Sequence, residues 1–258
     1  MALFNDGPIH RIEELALYDS SLLETATIER IDVGAKIAGA QAAIGTEVLT
    51  FLLDNESVEP VFGGGGGRRA KLGIGDVVVT PELKRWHAFR TLQAVYQDAN
   101  GSQTNDRYQW KWQEYGTLAG TAKAGCLDIG IGLAADPIPK AQTPVVTTVA
   151  GGGAGGTLYF AAALVNGAGQ EGMVSEVVMA NLPPAMQADV HLSTAPANAR
   201  GWNVYAGNAP GLLLKQNDAV LEVAAAWTQP ELLNPGSSPG GGQCPTFWAV
   251  QNRVIRRG

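Results

Sequence analysis

The chain is poor in charge, cysteine and histidine, and each shortage narrows the functions open to it. Charged residues make up 16% of the 258 residues, against about 25% in an average soluble domain, and the net charge is −6. General nucleic-acid binding needs a basic face, so this class is disfavoured. Cys126 and Cys244 do not indicate a disulfide framework. The histidines, His10, His87 and His191, are too scattered for a zinc motif.

Long apolar runs and catalytic motifs are missing as well. No stretch approaches about 20 apolar residues, so we expect no membrane-spanning helix. The N-terminal sequence MALFNDGPIHRIEEL lacks the basic and apolar regions of a secretory signal. The G-x-S-x-G and H-E-x-x-H motifs are absent too. We therefore expect a protein used in solution that is not an enzyme and has no cofactor or metal site.

Glycine, by contrast, is abundant, with 33 residues and two dense runs. The first run precedes Arg68 and Arg69 without the Lys-Ser or Lys-Thr of a phosphate-binding loop, so we predict an exposed loop that a neighbouring subunit could order. The second run, Gly151–Gly156, fits G-x-G-x-x-G, and the acidic Glu171 follows at the spacing of a dinucleotide site. Such a site requires a helix after the glycines. The β-branched and aromatic residues that follow disfavour it.

The first 140 residues carry the spacing of helices. Apolar residues recur every three or four positions from about Ser21 to Asp54, and Ser21 begins the S-x-x-E pattern of a capping box. Gly34, Gly39 and Gly45 interrupt this segment. The interruptions indicate either close helix contacts or a kink in one helix, or else two shorter helices.

Two further helices are predicted before residue 140. Thr80-Pro81 is a strong helix start, and Asn100-Gly101 ends that helix. The next helix spans about Asn105 to Cys126, with apolar residues in a heptad-like seam. The short connection makes these two helices antiparallel neighbours. We expect residues 1–140 to form an α-helical bundle.

From Thr143 onward the pattern changes to short extended segments. Val145–Val149 alternates between apolar and polar residues. Further strand-like runs are Thr157–Val165, Val174–Met179, Asp189–Ser193, Gly201–Ala206 and Leu212–Gln216. Short strands at this spacing are typical of a β-sandwich. We therefore predict an α+β protein in which an immunoglobulin-like β-sandwich at residues 141–235 follows the helical bundle.

The remaining residues, 236–258, are predicted to be a flexible tether that ends in an apolar and basic segment. Two interpretations stay open. In one, this segment is a last strand that returns to the body of the protein. In the other it is a docking arm, whose aromatic residues anchor in a partner's groove and whose arginines pair with carboxylates. The residues concerned are Phe247, Trp248, Arg253, Arg256 and Arg257.

Two groups of segments resemble proteins of tailed bacteriophages. Val79–Leu92, Asn105–Tyr115 and Gly130–Pro139 are similar to phage proteins of the head–tail junction. Tyr159–Glu176 and Ala199–Tyr205 resemble the fibronectin-III or immunoglobulin-like decoration of virion proteins. The resemblance implies a head-to-tail adaptor, also called a connector or neck protein, that joins a ring of commonly twelve copies beneath the portal.

The resemblance also implies partners and a location. We expect contacts with the portal protein and with tail or nozzle proteins, and the docking arm would bind either the portal or a neighbouring subunit. DNA would pass through the ring without sequence-specific binding, and no membrane is involved. The expected location is the neck of the virion, after synthesis in the host cytoplasm. Candidate contacts between subunits are Gly34, Gly39, Gly45, Arg68 and Arg69.

Two alternatives follow from the added sandwich, which the smallest helical adaptors lack. The first is a tail or baseplate component. The second is a sugar-binding module at a cell surface, which exposed aromatic side chains on the sandwich would favour.

Overall fold

The structure is a computed structural model, and it describes residues 1–54, 72–101, 106–153, 155–251 and, by backbone alone, 253–256. The chain divides into two compact units. The helical unit contains residues 7–135 and 245–258, and the β unit contains residues 1–6 and 136–244. The chain therefore passes from one unit to the other three times.

Helices and antiparallel sheets together make this a mixed α+β protein, as predicted. The helices of the described residues are α1 Ile12–Ala16, α2 Leu22–Glu29, α3 Val33–Asp54, α4 Pro81–Gly101 and α5 Gln109–Ile129. The strands are β1 Ile131–Leu133, β2 Val145–Ala150, β3 Gly156–Asn166, β4 Val178–Leu182, β5 Met186–His191, β6 Ala199–Gly207, β7 Leu214–Lys215, β8 Trp227–Thr228, β9 Phe247–Val250 and β10 Arg253–Arg256.

The first predicted helical segment is two helices, but the break lies at Arg30 and not at the glycines, since α3 runs through Gly34, Gly39 and Gly45. Helix α2 ends because Arg30 adopts a left-handed conformation with φ of 56°, and Ile31 N–H donates to the Ala26 carbonyl at 2.9 Å. The predicted capping box does not form. Ser21 has helical rather than extended backbone angles, and its hydroxyl donates to the Asp19 carboxylate at 2.7 Å instead.

Helix α4 forms the centre of the helical unit and packs against both α3 and α5. It begins where the sequence predicts, since the Thr80 hydroxyl accepts the Leu83 N–H at 3.3 Å. Leu92, Val95 and Tyr96 on α4 have no exposed surface. Aromatic residues of the α5 seam join this core, which confirms that the stripe is structural.

The end of the chain adds a small antiparallel sheet to the helical unit, in the order β1-β9-β10. Ile131 pairs with Ala249 and Leu133 with Phe247. The backbone therefore follows the first interpretation of the tail, a last strand. Strand β1 was not predicted from the sequence, because three residues are too few to show an alternating pattern.

The β unit consists of two antiparallel sheets, with strand orders β2-β5-β8 and β4-β3-β6-β7. Both sheets contribute to one core, in which Phe160 on β3 and Trp202 on β6 share a cluster with Val190 on β5 and Trp227 on β8. The run Gly151–Gly156 leads into β3. The helix that a dinucleotide site requires is therefore not there.

The predicted domain boundaries need two corrections. Residues 1–6 belong to the β unit, where Leu3 and Phe4 are buried and the Asp6 carboxylate accepts the Lys140 N–H at 2.7 Å. Residues 236–258, predicted as one tether and tail, are divided between the units. Residues up to Cys244 belong to the β unit, and those from Pro245 belong to the helical unit. Gln243 is buried in the β unit, and its side-chain oxygen accepts the Ile138 N–H at 2.7 Å.

Candidate functional site

One side of α3 is exposed and carries no charged residue from Gly34 to Leu53. Its opposite side is buried through Val33, Ile37, Ala40, Ile44, Val48 and Leu52. The exposed side, which we call the α3 outer face, consists of Gly34, Ala35, Ala38, Gly39, Ala42, Thr46, Leu49, Thr50 and Leu53. At 1.5 Å rise per residue, this face is roughly 28 Å long. Its side chains are small apart from two leucines.

Two charged side chains of α3 point away from this face, and the third, Asp54, is the exposed last residue of the helix. Lys36 forms an ion pair with Asp98 on α4, and Glu47 forms one with Lys123 on α5 at 2.5 Å. Both α3 side chains are about one-third exposed or less. At Gly39 an added Cβ would meet nothing within 4 Å. The described part of the chain therefore gives no packing reason for this glycine, and an uncharged surface of this size is typical of a contact region.

Helix α3 bears on the expectation about membranes, because its apolar stretch is longer than the sequence analysis allowed. Its 22 residues are long and apolar enough to cross a membrane by length and composition, and 28% of the apolar window is buried inside the protein. One helix near the N-terminus is weak support for a membrane span, since a core helix with one uncovered side has the same composition. The fully buried Ile44 and Val48 place the other side of α3 in the bundle core.

The structure separates the predicted contact residues. Gly34 and Gly39 lie on the α3 outer face, and Gly45 is half-buried on the same helix. Phe247 and Trp248 are half-buried in β9. Arg253 and Arg256 belong to β10. Arg68, Arg69 and Arg257 lie outside the described residues.

A buried polar cluster in the helical unit escaped the sequence analysis. The Asp19 carboxylate, 7% exposed, accepts the hydroxyls of Tyr96 at 2.6 Å and Tyr115 at 2.9 Å. The Lys111 ammonium lies 2.8 Å from the same oxygen, Oδ2. The other oxygen, Oδ1, accepts the N–H and the hydroxyl of Ser21 at 2.9 and 2.7 Å. One carboxylate thus joins the α1–α2 turn to α4 and α5.

The electrostatics of this cluster indicate a structural role. Burial alone would raise the pKa of Asp19, but the hydrogen bonds from Lys111, Tyr96 and Ser21 outweigh burial and hold its pKa well below the ordinary value. Burial and the bond to Asp19 raise the pKa of Tyr115. Both oxygens of Asp19 are already engaged, which leaves the carboxylate poorly suited to act as a general base. The sequence hinted at the cluster only through tyrosines on apolar faces, whose hydroxyls need partners when buried.

The β unit has a comparable polar contact at Glu171, the acid of the dinucleotide alternative. The Tyr205 hydroxyl donates to Glu171 Oε1 at 2.5 Å, and the Asn203 amide donates to Oε2 at 3.1 Å. Both carboxylate oxygens thus bond to residues of β6 rather than facing an open site.

Aromatic side chains of the β unit lie inside it. Phe160, Trp202, Tyr205 and Trp227 are at most 8% exposed. The exposed large apolar side chains between residues 136 and 244, in the part described, include no aromatic residue, and they are Val145, Val177, Met179, Leu212, Val220 and Leu232. The described residues 136–244 therefore lack the exposed aromatic side chains that would favour a sugar-binding module.

Comparison with protein-family models gives no match, and comparison with curated proteins gives none either. Among the described residues, no group of three or more His, Cys, Asp or Glu side chains is arranged to hold a metal ion. The α3 outer face is therefore the feature of the described residues that points most directly to a function.

Proposed function

We propose that this chain is a structural protein of a tailed-phage virion, a head-to-tail adaptor that forms a ring between portal and tail. The α3 outer face is the observation that carries the proposal. An uncharged helix face about 28 Å long is suited to cover another protein surface. Its small residues let a second helix approach closely, toward the 8 Å end of the usual interaxial range.

The ring follows from the kind of contact that one such face makes. The α3 outer face of one copy would bind a different surface of the next copy, which is a heterologous contact. Heterologous contacts close into a ring when the rotation between neighbours permits it. A ring of twelve copies, with DNA passing through it without sequence-specific contacts, is the arrangement that we propose on the phage resemblance.

We further propose that the β unit is an immunoglobulin-like sandwich, and its strand order supports this. If β2 to β7 are lettered B, C, C′, E, F and G, the four-stranded sheet reads C′-C-F-G. The other sheet places B beside E. These are the neighbours expected in variable-type immunoglobulin sheets. The unit would decorate the ring, and a catalytic role is not proposed.

The portal and the tail or nozzle proteins are the proposed partners, at the neck of a virion assembled from protein made in the host cytoplasm. Portal contact through Phe247, Trp248 and the arginines that follow stays a prediction. A tail or baseplate component remains the alternative, because the same ring surface would serve there. Localising the protein in purified particles by labelled antibody and electron microscopy distinguishes the neck from the tail or baseplate.

The ring contact is tested by adding one charge to the α3 outer face. Ala42→Arg places a guanidinium on this face, whereas Gln97→Arg adds the same charge at an exposed position on α4. A charge buried without a partner in an interface costs about 3–5 kcal/mol, which weakens each contact more than 100-fold. We expect rings from the wild type and from Gln97→Arg, and monomers from Ala42→Arg.

Native mass spectrometry and negative-stain images measure the outcome over a range of protein concentrations. Rings of Ala42→Arg would contradict the α3 contact, and a wild type that stays monomeric at every concentration would contradict the ring. Flotation with phosphatidylcholine vesicles is the control for the composition of α3. Wild-type protein that floats with the vesicles would show that lipid covers this face.

A further inference from the structure

His10 and His87 form a buried pair that the proposed function does not use. Their Nδ1 atoms are 3.0 Å apart, and their ring planes differ by 14° with centroids 5.2 Å apart. His10 is 3% exposed and His87 is fully buried. His10 precedes α1, whereas His87 belongs to α4. The pair therefore connects the start of the helical unit to its central helix.

A carbonyl group fixes where the protons of the pair lie. His87 Nε2 is 3.2 Å from the Ile37 carbonyl oxygen, and a carbonyl can only accept, so Nε2 carries the hydrogen. In a neutral imidazole the other nitrogen is then bare. His87 Nδ1 is therefore the acceptor, and His10 Nδ1–H is the donor. At neutral pH the pair is one N–H···N hydrogen bond between two uncharged rings.

A first added proton fits this arrangement, but a second does not. The first can bind His10 Nε2, which leaves the hydrogen bond intact. The second can bind only His87 Nδ1, where its N–H would face the His10 N–H across 3.0 Å. Two positive rings would then lie side by side where solvent does not reach, which is strongly unfavourable.

The surrounding groups do not offset this repulsion. Burial lowers the pKa of His10, while Glu14 on α1 opposes this effect and Lys84 on α4 adds to it. Glu14 and Lys84 also form an ion pair with each other at 3.8 Å. Helix α3 contributes the Ile37 carbonyl, and the ring of Tyr18 lies edge-on to His10. Burial first, and then the neighbouring His10, lower the pKa of His87 to about 4.

We infer that the His10–His87 pair is an acid-triggered release, which holds residues 7–16 on the bundle at neutral pH and frees them when both rings are charged. The side-chain oxygen of Gln41 accepts the Ile9 N–H at 3.1 Å, and the side-chain nitrogen of Gln41 donates to the Gly7 carbonyl at 2.9 Å. Both hydrogen bonds would open when the segment is released. These two hydrogen bonds contain no group that titrates between pH 4 and 7, so they add no pH dependence to that of the histidine pair.

The size of the effect follows from the two states of His87. While residues 7–16 are bound, the pKa of His87 is about 4, below the ordinary value near 6.5. The binding that depends on the neutral ring is therefore complete above pH 6.5 and is lost as the pH falls toward 4. If His87 regained the ordinary pKa on release, this ring alone would shift the ratio of released to bound segment by about 40-fold between pH 6 and pH 4, which is the upper limit of its effect.

Hydrogen exchange of the full chain, corrected for intrinsic rates, measures the release. We expect the protection of amides in residues 9–17 to fall at least tenfold between pH 6 and pH 4, while α5 changes less than twofold. His10→Gln should reduce the fall, because a glutamine amide can donate to neutral His87 and accept from protonated His87, whereas the burial of His87 remains. His191→Gln in the β unit is the matched control and should behave as the wild type does.

Nitrogen chemical shifts of the wild-type histidine rings give a second measurement that needs no variant. At pH 7 they should show hydrogen on His87 Nε2 and on His10 Nδ1. Hydrogen on His87 Nδ1 at pH 7 would overturn the inference. Unchanged protection of residues 9–17 in the wild type would overturn it too, as would an equal fall of protection in His10→Gln.

Discussion

Replacing Asp19 with asparagine should destabilise the helical unit more than any exposed change of the same kind. The substitution keeps the shape of the side chain but removes the negative charge that faces Lys111 at 2.8 Å. It also turns one acceptor oxygen into an NH₂ group, which would face hydroxyl and ammonium donors. The Lys111 side chain is 20% exposed, so solvent replaces only part of the lost interaction.

The magnitude follows from the burial of the pair. Removing one partner of a buried ion pair costs about 3–5 kcal/mol, because the other charge stays buried without compensation. With a urea slope of about 2 kcal/mol per M, this change lowers the unfolding midpoint by roughly 2 M. Unfolding is followed through the exchange protection of α4 amides, so that the helical unit is measured by itself. Asp128→Asn, exposed on α5, is the control and should change little.

A double variant separates the charge from the packing. In Asp19→Asn/Lys111→Met both charges are gone, and the loss should be smaller than in Asp19→Asn alone. A loss below about 1 kcal/mol in Asp19→Asn, or one equal to that of Asp128→Asn, would refute the reasoning. It would mean that the cluster contributes no more than an exposed polar group.

Two further predictions concern the sheet that the end of the chain adds. Gly132→Ala would place a Cβ 2.8 Å from Pro245 Cγ and 3.0 Å from Thr80 Cγ2, so we expect about 1–3 kcal/mol of destabilisation in urea unfolding. Gly120→Ala on α5, where a Cβ meets nothing within 4 Å, should instead stabilise by roughly 1 kcal/mol. A Gly132→Ala variant that is more stable than the Gly120→Ala variant would contradict the close contact of Gly132 with Pro245. A chain that stops at Cys244 loses β9 and should show weaker exchange protection in the helical unit and unchanged protection in β3 and β6. Equal protection of both units would show that the last strand adds no stability.

The regular elements were predictable because their patterns are local. The cap at Thr80-Pro81 is written in two neighbouring residues and marks the start of α4 to the residue. The alternation in Val145–Val149 likewise predicts β2. The break at Arg30 was not predicted, because a left-handed arginine carries no composition signal of the kind that glycine gives.

The parts that could not be predicted depend on contacts between distant residues. Asp19 meets Lys111, and His10 meets His87, across long stretches of chain. Nothing in the neighbourhood of either residue in the sequence reports its partner. The glycines of the α3 outer face are visible in the sequence, but the positions of Lys36 and Glu47 in ion pairs on the other sides of the helix are not.

The three passages of the chain between its units also fix the order in which the protein can finish folding during synthesis. Asp6 can form its hydrogen bond only after Lys140, 134 positions later, has been synthesised. Strand β1 can pair only after β9 has been synthesised. Proteins usually complete their N-terminal domain first as they leave the ribosome. Here the helical unit, although most of it is made early, is completed after the β unit. Long-range closure of this kind slows folding, and it leaves the unpaired edge of β1 exposed until the last strand arrives. A chaperone that covers strand edges would therefore be needed most in the interval between the synthesis of β1 and that of β9.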